Sequence, residues 1–596
     1  MTAASEEPFN WRLILACWAV VVVAFYLPML SHAGGILPFT DNDDSMRMVT
    51  AGALADGQGW QDRIVDRDNA PFGSPMPWSR LVDAPIAGLL LLARPVLGRA
   101  MADTAVSLAW PPLMLLAALA FSVGLTRRML GPGHQLAAVL LPALSIVVLG
   151  EFAPGRVDHH NVQIILTTAL VWATISGRTS DRAAIAAGLL TATSLAVGVE
   201  TLPFAVGAIV AFGLRWVVDP ATGGKAHRFA LALAAGTLGQ FLLAVPPGDF
   251  LKPACDEISD TYVVATALAA AALIVASRFG GWLAPGWRLG FLTLLGGLAA
   301  GIVLALFPDC RAGPYGHIDL RAYDLLLAQV PETQSLWQRL MDDPVNALSL
   351  ALAPAVGLVV LAWRSSATRG GERTDWLVLL IFLAFASLVM VAEVRGARLA
   401  AMPAVPAGAW LVAAARKAYA GRRDVARGGA LVASWLAFSG IVQFLLPVAV
   451  GSLLVGGPAK AAAPASGITA CYWPRSFAHL ADLPSGNVVA PMTIGSRLLR
   501  FTADSVVSAG YHRNIAGAYA VDDFLNDGEA TAAAIARQRN LAYVVVCDEL
   551  RQLATRSSSA SDSFVAMWAE GRHWNWLTPL SSPGEPLQIF RIDLTR

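Results

Sequence analysis

A chain of 596 residues that is 56% hydrophobic and only 14% charged, with a mean hydropathy of +0.56, is too poor in charge for a soluble globular protein, which carries about 25%. With 43 Lys and Arg against 42 Asp and Glu the net charge is +1, so no basic field points to nucleic acid. Most of the chain is expected to lie in lipid, and its 18 tryptophans suit the interfacial belts of a membrane protein.

Stretches of the roughly 20 apolar residues needed to span a bilayer fall near 13–31, 104–126, 135–153, 161–176, 183–200, 202–218, 229–246, 261–277, 288–307, 346–364, 376–393, 399–415 and 429–456. They number about thirteen by this length rule. The apolar run 84–98 is short and reads as interfacial or re-entrant. The first span lacks a small-residue cleavage site and reads as a retained helix. Basic turns at Arg127–Arg128, Arg178–Arg182, Lys225–Arg228, Arg364–Arg373 and Lys417–Arg427 all fall on one side of this model, which the positive-inside bias makes cytoplasmic. The expected protein is therefore a multi-pass one of a bacterial-type inner membrane, with its N-terminus cytoplasmic. Loops 32–103, 247–260 and 308–345 and the tail then face the periplasm. Four cysteines lie on that side, and two disulfides, Cys255–Cys310 and Cys471–Cys547, suit an oxidising compartment; unbonded buried thiols are the alternative.

Residues 457–467, rich in Ala, Pro and Gly, read as a linker. The organisation expected is a membrane domain over 1–456 and a small periplasmic α/β domain over 457–596. Its strands are expected at 487–491, 504–508, 542–547 and 587–591, and its helix at 528–540.

Ionisable residues beside lipid are costly without partners and mark functional sites. Four clusters sit at span ends on the periplasmic side. In Asp41-Asn42-Asp43-Asp44-Ser45-Met46-Arg47, three carboxylates repel one another unless a divalent cation or Arg47 neutralises them; a solvated turn capping a helix is the alternative. In Asp158-His159-His160, Asp158 and His160 offer an oxygen and an imidazole to one metal, with Mg²⁺ or Mn²⁺ suiting mostly oxygen ligands; helix capping with interfacial histidines is again the alternative. Val330-Pro331-Glu332 places a carboxylate in the long later loop. Glu393-Val394-Arg395-Gly396-Ala397-Arg398 places two guanidiniums where they suit an anionic phosphate or a Glu–Arg pair. Glu200 and the run Tyr511-His512-Arg513-Asn514 lie on the same side.

The layout resembles the C-class (GT-C) membrane glycosyltransferases, among them the oligosaccharyltransferase catalytic subunits. They share about thirteen spans, a large first outer loop, a long later outer loop and a soluble C-terminal domain. The resemblance implies that Asp41, with Arg47 six residues on, helps bind metal and position the acceptor. It implies that Asp158 and His160 are further metal ligands, that Glu332 meets acceptor and metal, and that Arg395, then Arg398, holds the donor phosphate. Asp41, Asp44 and Glu332 are the candidates to orient or deprotonate the acceptor. Arg47, His159, Glu200 and His512 are candidates to line the substrate site. The donor implied is a polyprenyl-linked sugar, and the acceptor a glycan, a lipid or a protein. The family's Trp-Trp-Asp sequon-reading motif is absent from the sequence, which puts protein N-glycosylation in doubt. A transporter or flippase of lipid-linked sugars is the alternative class; such proteins place charges near the midplane and carry internal repeats.

Overall fold

The computed structural model describes residues 9–30, 41–316, 318–328, 330–445, 470–547, 562–582 and 584–595. The protein is mostly helical. Helices α1 (Trp11–Leu30), α2 (Asn42–Ala55), α3 (Arg80–Leu97), α4 (Arg99–Leu130), α5 (Gln135–Ala143), α6 (Ile146–Gly150), α7 (His160–Ser176), α8 (Asp181–Val197) and α9 (Leu202–Val218) open the chain. They are followed by α10 (Gly223–Ala244), α11 (Asp260–Phe279), α12 (Pro285–Leu306), α13 (Leu320–Leu326), α14 (Leu336–Asp342), α15 (Pro344–Ala367), α16 (Gly370–Ala392), α17 (Gly396–Gly421) and α18 (Val425–Leu436). Among the described residues eight helices are long and apolar enough to cross a membrane.

Every expected span meets a helix, with two differences. The span expected over 135–153 is broken into α5 and α6 at Leu144 and Ser145, where Pro142 weakens the ladder and the Ser145 side chain caps the second piece. The end of the span expected over 429–456 and the linker at 457–467 lie outside the described residues. The run 84–98 is the body of α3, whose Leu91, Leu92 and Val96 are exposed while Val82, Ile86 and Leu90 are buried, as suits an interfacial helix. Gly98, at φ 74°, turns the chain sharply from α3 into α4. The bundle core is aromatic and aliphatic: Phe204, Phe212, Phe229, Trp376 and Phe382 are all within 2% of complete burial.

The C-terminal domain is a five-stranded sheet of β3 (Asn487–Val489), β4 (Ser505–Val506), β5 (Leu541–Cys547), β6 (Leu577–Pro579) and β7 (Leu587–Ile592), in the order β4-β3-β5-β7-β6. The β3 pairings are parallel, and β5-β7-β6 is antiparallel. The period of two divides β5 between two cores. Tyr543, Val545 and Cys547 pack under the helix Met492–Phe501, whereas Val544 and Val546 pack with Phe524, Ile535, Phe564 and Trp574. Both expected disulfides form, Cys255–Cys310 with Cα atoms 5.4 Å apart and Cys471–Cys547 with 5.8 Å.

The first long loop, which also carries a small hairpin of β1 (Ile64–Val65) and β2 (Ser74–Pro75), locks this domain to the bundle. Val506 N donates to Arg67 O at 2.7 Å and Ala70 N to Val506 O at 2.9 Å, so the loop covers the β4 edge. Arg67 ties down the carbonyls of Leu499, Thr502 and Asp504. Asp68, fully buried, accepts from Ala509 N and Asn514 Nδ2. Burial pushes its carboxyl up from 3.8 to about 6. A raised acid binds its proton more tightly in the folded state, so this contribution to stability is complete below pH 4 and declines as pH rises through 6. We expect thermal stability to fall by up to about 3 kcal/mol across that window and the decline to vanish in Asp68→Asn. A melting series from pH 4 to 7 measures it, and an unchanged slope in the variant would refute the assignment.

Candidate active site

Four segments distant in sequence meet at the end of the bundle that carries the C-terminal domain. The first turn of α2 supplies Asp41, Asp43 and Asp44. Asp41 is the N-cap: its Oδ1 accepts from Asp44 N, and Asp44 Oδ2 accepts from Asp41 N, both at 3.0 Å. Asp44 is fully buried, and its Oδ1 accepts from Val157 N at 2.7 Å and Asp158 N at 3.0 Å. Both carboxylates also bind Arg156. Their oxygens are thereby engaged in holding the α2 turn against the turn before α7. Asp43 faces inward with Tyr511 Oη, 3.1 Å away, as its hydrogen-bond donor. Burial, then the nearby Asp158 and Asp41 carboxylates, push its carboxyl well above the usual range.

From Arg156 the charges alternate outward. Its Nη2 binds Glu151 Oε2 at 3.0 Å; Glu151 Oε1 lies 3.5 Å from Arg398 Nη1; and Arg398 Nη2 binds Glu332. The Glu332 segment is fastened by its backbone as well, Glu332 O accepting from Arg395 N at 3.1 Å and Gln334 O from Val394 N at 2.8 Å. All four clusters therefore form one network. On the other side of Asp158, buried Arg47 binds Asp83 Oδ1 at 2.7 Å, reaches His159 Nδ1 at 3.4 Å, and stacks 4.3 Å from the Trp78 ring.

Asp158 sits at the centre. Its Oδ1 accepts from His159 N at 2.6 Å and lies 2.5 Å from His159 Nδ1. Burial opposes a charge on His159, but Asp158 and Glu200 hold its pKa up at about 10, so it is a cation at neutral pH. Asp158 Oδ2 is different. It is buried and lacks a hydrogen-bond partner, although His160 Nε2 stands 3.1 Å away. His160 Nδ1 is 2.9 Å from Gln163 Oε1, while Gln163 Nε2 donates to Glu200 Oε2 at 2.9 Å. The amide oxygen thus faces the imidazole, Nδ1 carries the proton, and Nε2 keeps its lone pair toward Asp158. This is the orientation that metal-binding histidines take from a supporting acceptor. Gly198 permits the approach, since a Cβ there would collide with Gln163 Nε2 and Glu200 Oε2.

Asp158, His159 and His160 lie close enough together to hold a metal ion. Of these, His159 is committed as a donor to Asp158. The orphaned Asp158 Oδ2 and His160 Nε2, 3.1 Å from it, offer the two uncommitted ligand atoms, and Asp43 is near enough to feel the Asp158 charge. Asp41, expected from sequence as a ligand, is placed as a cap with both oxygens engaged.

A small cavity of about 60 Å³ adjoins the cluster, lined by Trp78, His159, Glu200, Tyr315, Arg395 and His512. Arg395 projects into it beside the Tyr315 ring. His512 Nε2 binds Asp256 Oδ2 at 2.7 Å, and Arg513 grips the same carboxylate at 2.8 and 2.6 Å. His512 thus closes the cavity wall while docking the C-terminal domain beside the Cys255–Cys310 disulfide. Sequence reasoning left Arg156, Glu151, Asp83, Tyr315 and Tyr511 without roles. The alternation of Glu151 with Arg156 around the Asp158 turn was the signal available for the first two.

No protein-family model and no curated protein sequence matches the chain. Solved structures do. The oligosaccharyltransferase of the archaeon Archaeoglobus fulgidus, in complex with an inhibitory peptide and a dolichol-phosphate, aligns with a TM-score of 0.66 at 14% identity, covering 98% of this chain and 74% of that one. The same enzyme with Zn and sulfate aligns at 0.61 and 13%, covering 98% and 73%. Its form tethered to an acceptor peptide containing the NVT sequon aligns at 0.60 and 15%, covering 97% and 74%. At this identity the likeness is one of fold: the chain shares the architecture of these oligosaccharyltransferase structures, a helical bundle with a C-terminal domain.

Asp44 and Asp43 are therefore expected to behave oppositely. Asp44→Ala strands two buried backbone N–H groups and takes from Arg156 one of its three carboxylates, and should cost about 3–5 kcal/mol of stability. Asp43→Ala loses one hydroxyl partner and relieves like-charge crowding, and should leave the melting temperature unchanged or raised. Equal destabilisation of both variants would contradict the division of roles.

Proposed function

We propose that the protein is a membrane glycosyltransferase that moves a sugar or oligosaccharide from a polyprenyl-(pyro)phosphate donor to an acceptor on the periplasmic side of the membrane. The reading takes residues 1–456 as the transferase domain and 457–596 as a periplasmic domain that helps to hold the acceptor. The observation that carries it is the joining of four charged clusters into one network beside Asp158, whose Oδ2 is orphaned, with an arginine-bearing cavity alongside. A transporter would be expected to set such charges near the middle of broken spans. Here they gather at the end of α7 opposite its basic turn, about 24 Å away along the helix.

Asp158, His160 and Asp43 would hold a divalent cation, Mg²⁺ or Mn²⁺, the imidazole favouring Mn²⁺. Such a cation would neutralise charge growing on the leaving phosphate. Arg395 binds the donor phosphate in the cavity, with His159 and Tyr315 beside it. Glu332, one oxygen on Arg398, orients the acceptor and receives its proton. The acceptor atom attacks the anomeric carbon as the bond from that carbon to the phosphate oxygen breaks. The electron pair of that bond leaves with the polyprenyl (pyro)phosphate. Arg398, Arg156 and Arg47 fix the carboxylates and touch no substrate in this scheme.

In source cells, Asp158→Ala or Asp43→Asn at native protein level should raise one polyprenyl-linked sugar severalfold, as read by mass spectrometry of the lipid extract. Arg395→Ala should do so partially, through weaker donor binding. An unchanged lipid pool in both carboxylate variants would remove the transferase reading.

A further inference from the structure

The protein has a larger cavity than the one beside Asp158. A cleft of about 1020 Å³ opens between the first long loop and the helix Met492–Phe501 of the C-terminal domain. Arg80 and Arg94, at the two ends of α3, both line it. Fourteen helical steps, about 21 Å, separate their Cα atoms, the scale of several linked sugar rings. The walls of the cleft are neither apolar enough for a lipid chain nor of one sign.

Guanidinium and carboxylate alternate along the cleft. Arg94 Nη1 and Arg99 Nη1 each reach an oxygen of Asp56 at 2.8 Å, and Arg500 binds Asp103 at 3.0 Å. Donors and acceptors so interleaved match hydroxyl groups, each of which donates and accepts. Trp78 and Phe501 add aromatic faces. Two features tilt the cleft toward an acidic chain. Two arginines share the single carboxylate of Asp56. In addition Arg500, only 4% exposed, has a buried Nη1 with no hydrogen-bond partner among the described residues, a donor left waiting for an acceptor.

The inner end of the cleft abuts the reaction centre. Trp78 lines both this cleft and the Arg395 cavity. Asp83, on the cleft wall, holds Arg47, which stacks on Trp78 and reaches His159.

We propose that this cleft is the acceptor site and that the acceptor is an acidic glycan, laid along α3 with its acidic groups at Arg500, Arg94 and Arg99 and its reacting end at Trp78. The proposal rests on the transferase reading and narrows its acceptor.

Full-length protein in lipid nanodiscs, probed by saturation-transfer NMR with tetragalacturonate and with neutral maltotetraose, tests it. Ala100 and Thr104 are exposed on α4 and line the cleft, so Ala100→Trp and Thr104→Trp plug it without disturbing buried groups. Tetragalacturonate should bind the wild type and Asp158→Ala alike, about tenfold more weakly in both plugged variants, and more tightly than maltotetraose. Absence of tetragalacturonate binding, binding that survives both plugs, or preference for the neutral chain would overturn the proposal. The two readings separate in cells. If Asp158→Ala accumulates lipid-linked sugar and the plugged variants do not, the cleft assignment alone fails. If none accumulates it, the transferase reading fails first.

Discussion

Arg156 is the constraint on which the site depends. Three carboxylates, Asp41, Asp44 and Glu151, converge on its guanidinium, and leaving the buried Asp44 without that cation would cost several kcal/mol. The fork joins the start of α2 to the turn before α7 and, through Glu151 and Arg398, to the Glu332 loop. At the inner end of this line Asp158 Oδ2 has no hydrogen-bond partner and Asp43 is crowded by the Asp158 and Asp41 carboxylates. The salt bridges are the frame that holds them there.

The C-terminal domain is part of that frame rather than an appendage. Its Tyr511 donates to Asp43, its Arg497 to Asn42, and its His512 and Arg513 close on Asp256. Asp256 neighbours Cys255, whose disulfide to Cys310 fixes the loop that presents Tyr315 to the Arg395 cavity. One docking interface thus shapes the carboxylate cluster, the Arg395 cavity and the larger cleft along α3 together. Trp78, held by Arg47 and edge-on to Tyr511, stands between the two cavities. In the proposed reaction the acceptor would reach the donor's anomeric carbon past this indole.

Much of this was legible in the chain because lipid makes polarity informative. Asp158, Glu332, Arg395 and Arg398 announced themselves as charges at the ends of apolar runs, and the four outer cysteines suited the two bonds that form. What was not legible depends on direction. Asp41, Asp43 and Asp44 are nearly equivalent as letters. Their division into cap, inward carboxylate and structural acceptor follows from the 100° step of a helix beginning at Asn42. His512 carries no local sign that it meets Asp256, 256 residues away. The break between α5 and α6 hides inside an apolar run because hydropathy does not register where a backbone ladder ends. Among the described residues eight helices meet the length and hydropathy required to span; several others that pack within the bundle are shorter, which apolar content alone does not distinguish.

The claim most open to direct measurement is that Asp158, His160 and Asp43 are poised for a cation while Asp41 and Asp44 are structural. Mn²⁺ binding to the purified protein, followed by electron paramagnetic resonance, reads this without any substrate. The account predicts one bound Mn²⁺ per chain in the wild type and in Asp41→Asn, with affinity reduced at least about tenfold in Asp158→Asn and in Asp43→Asn. Undiminished binding in Asp158→Asn, or loss confined to Asp41→Asn, would contradict it.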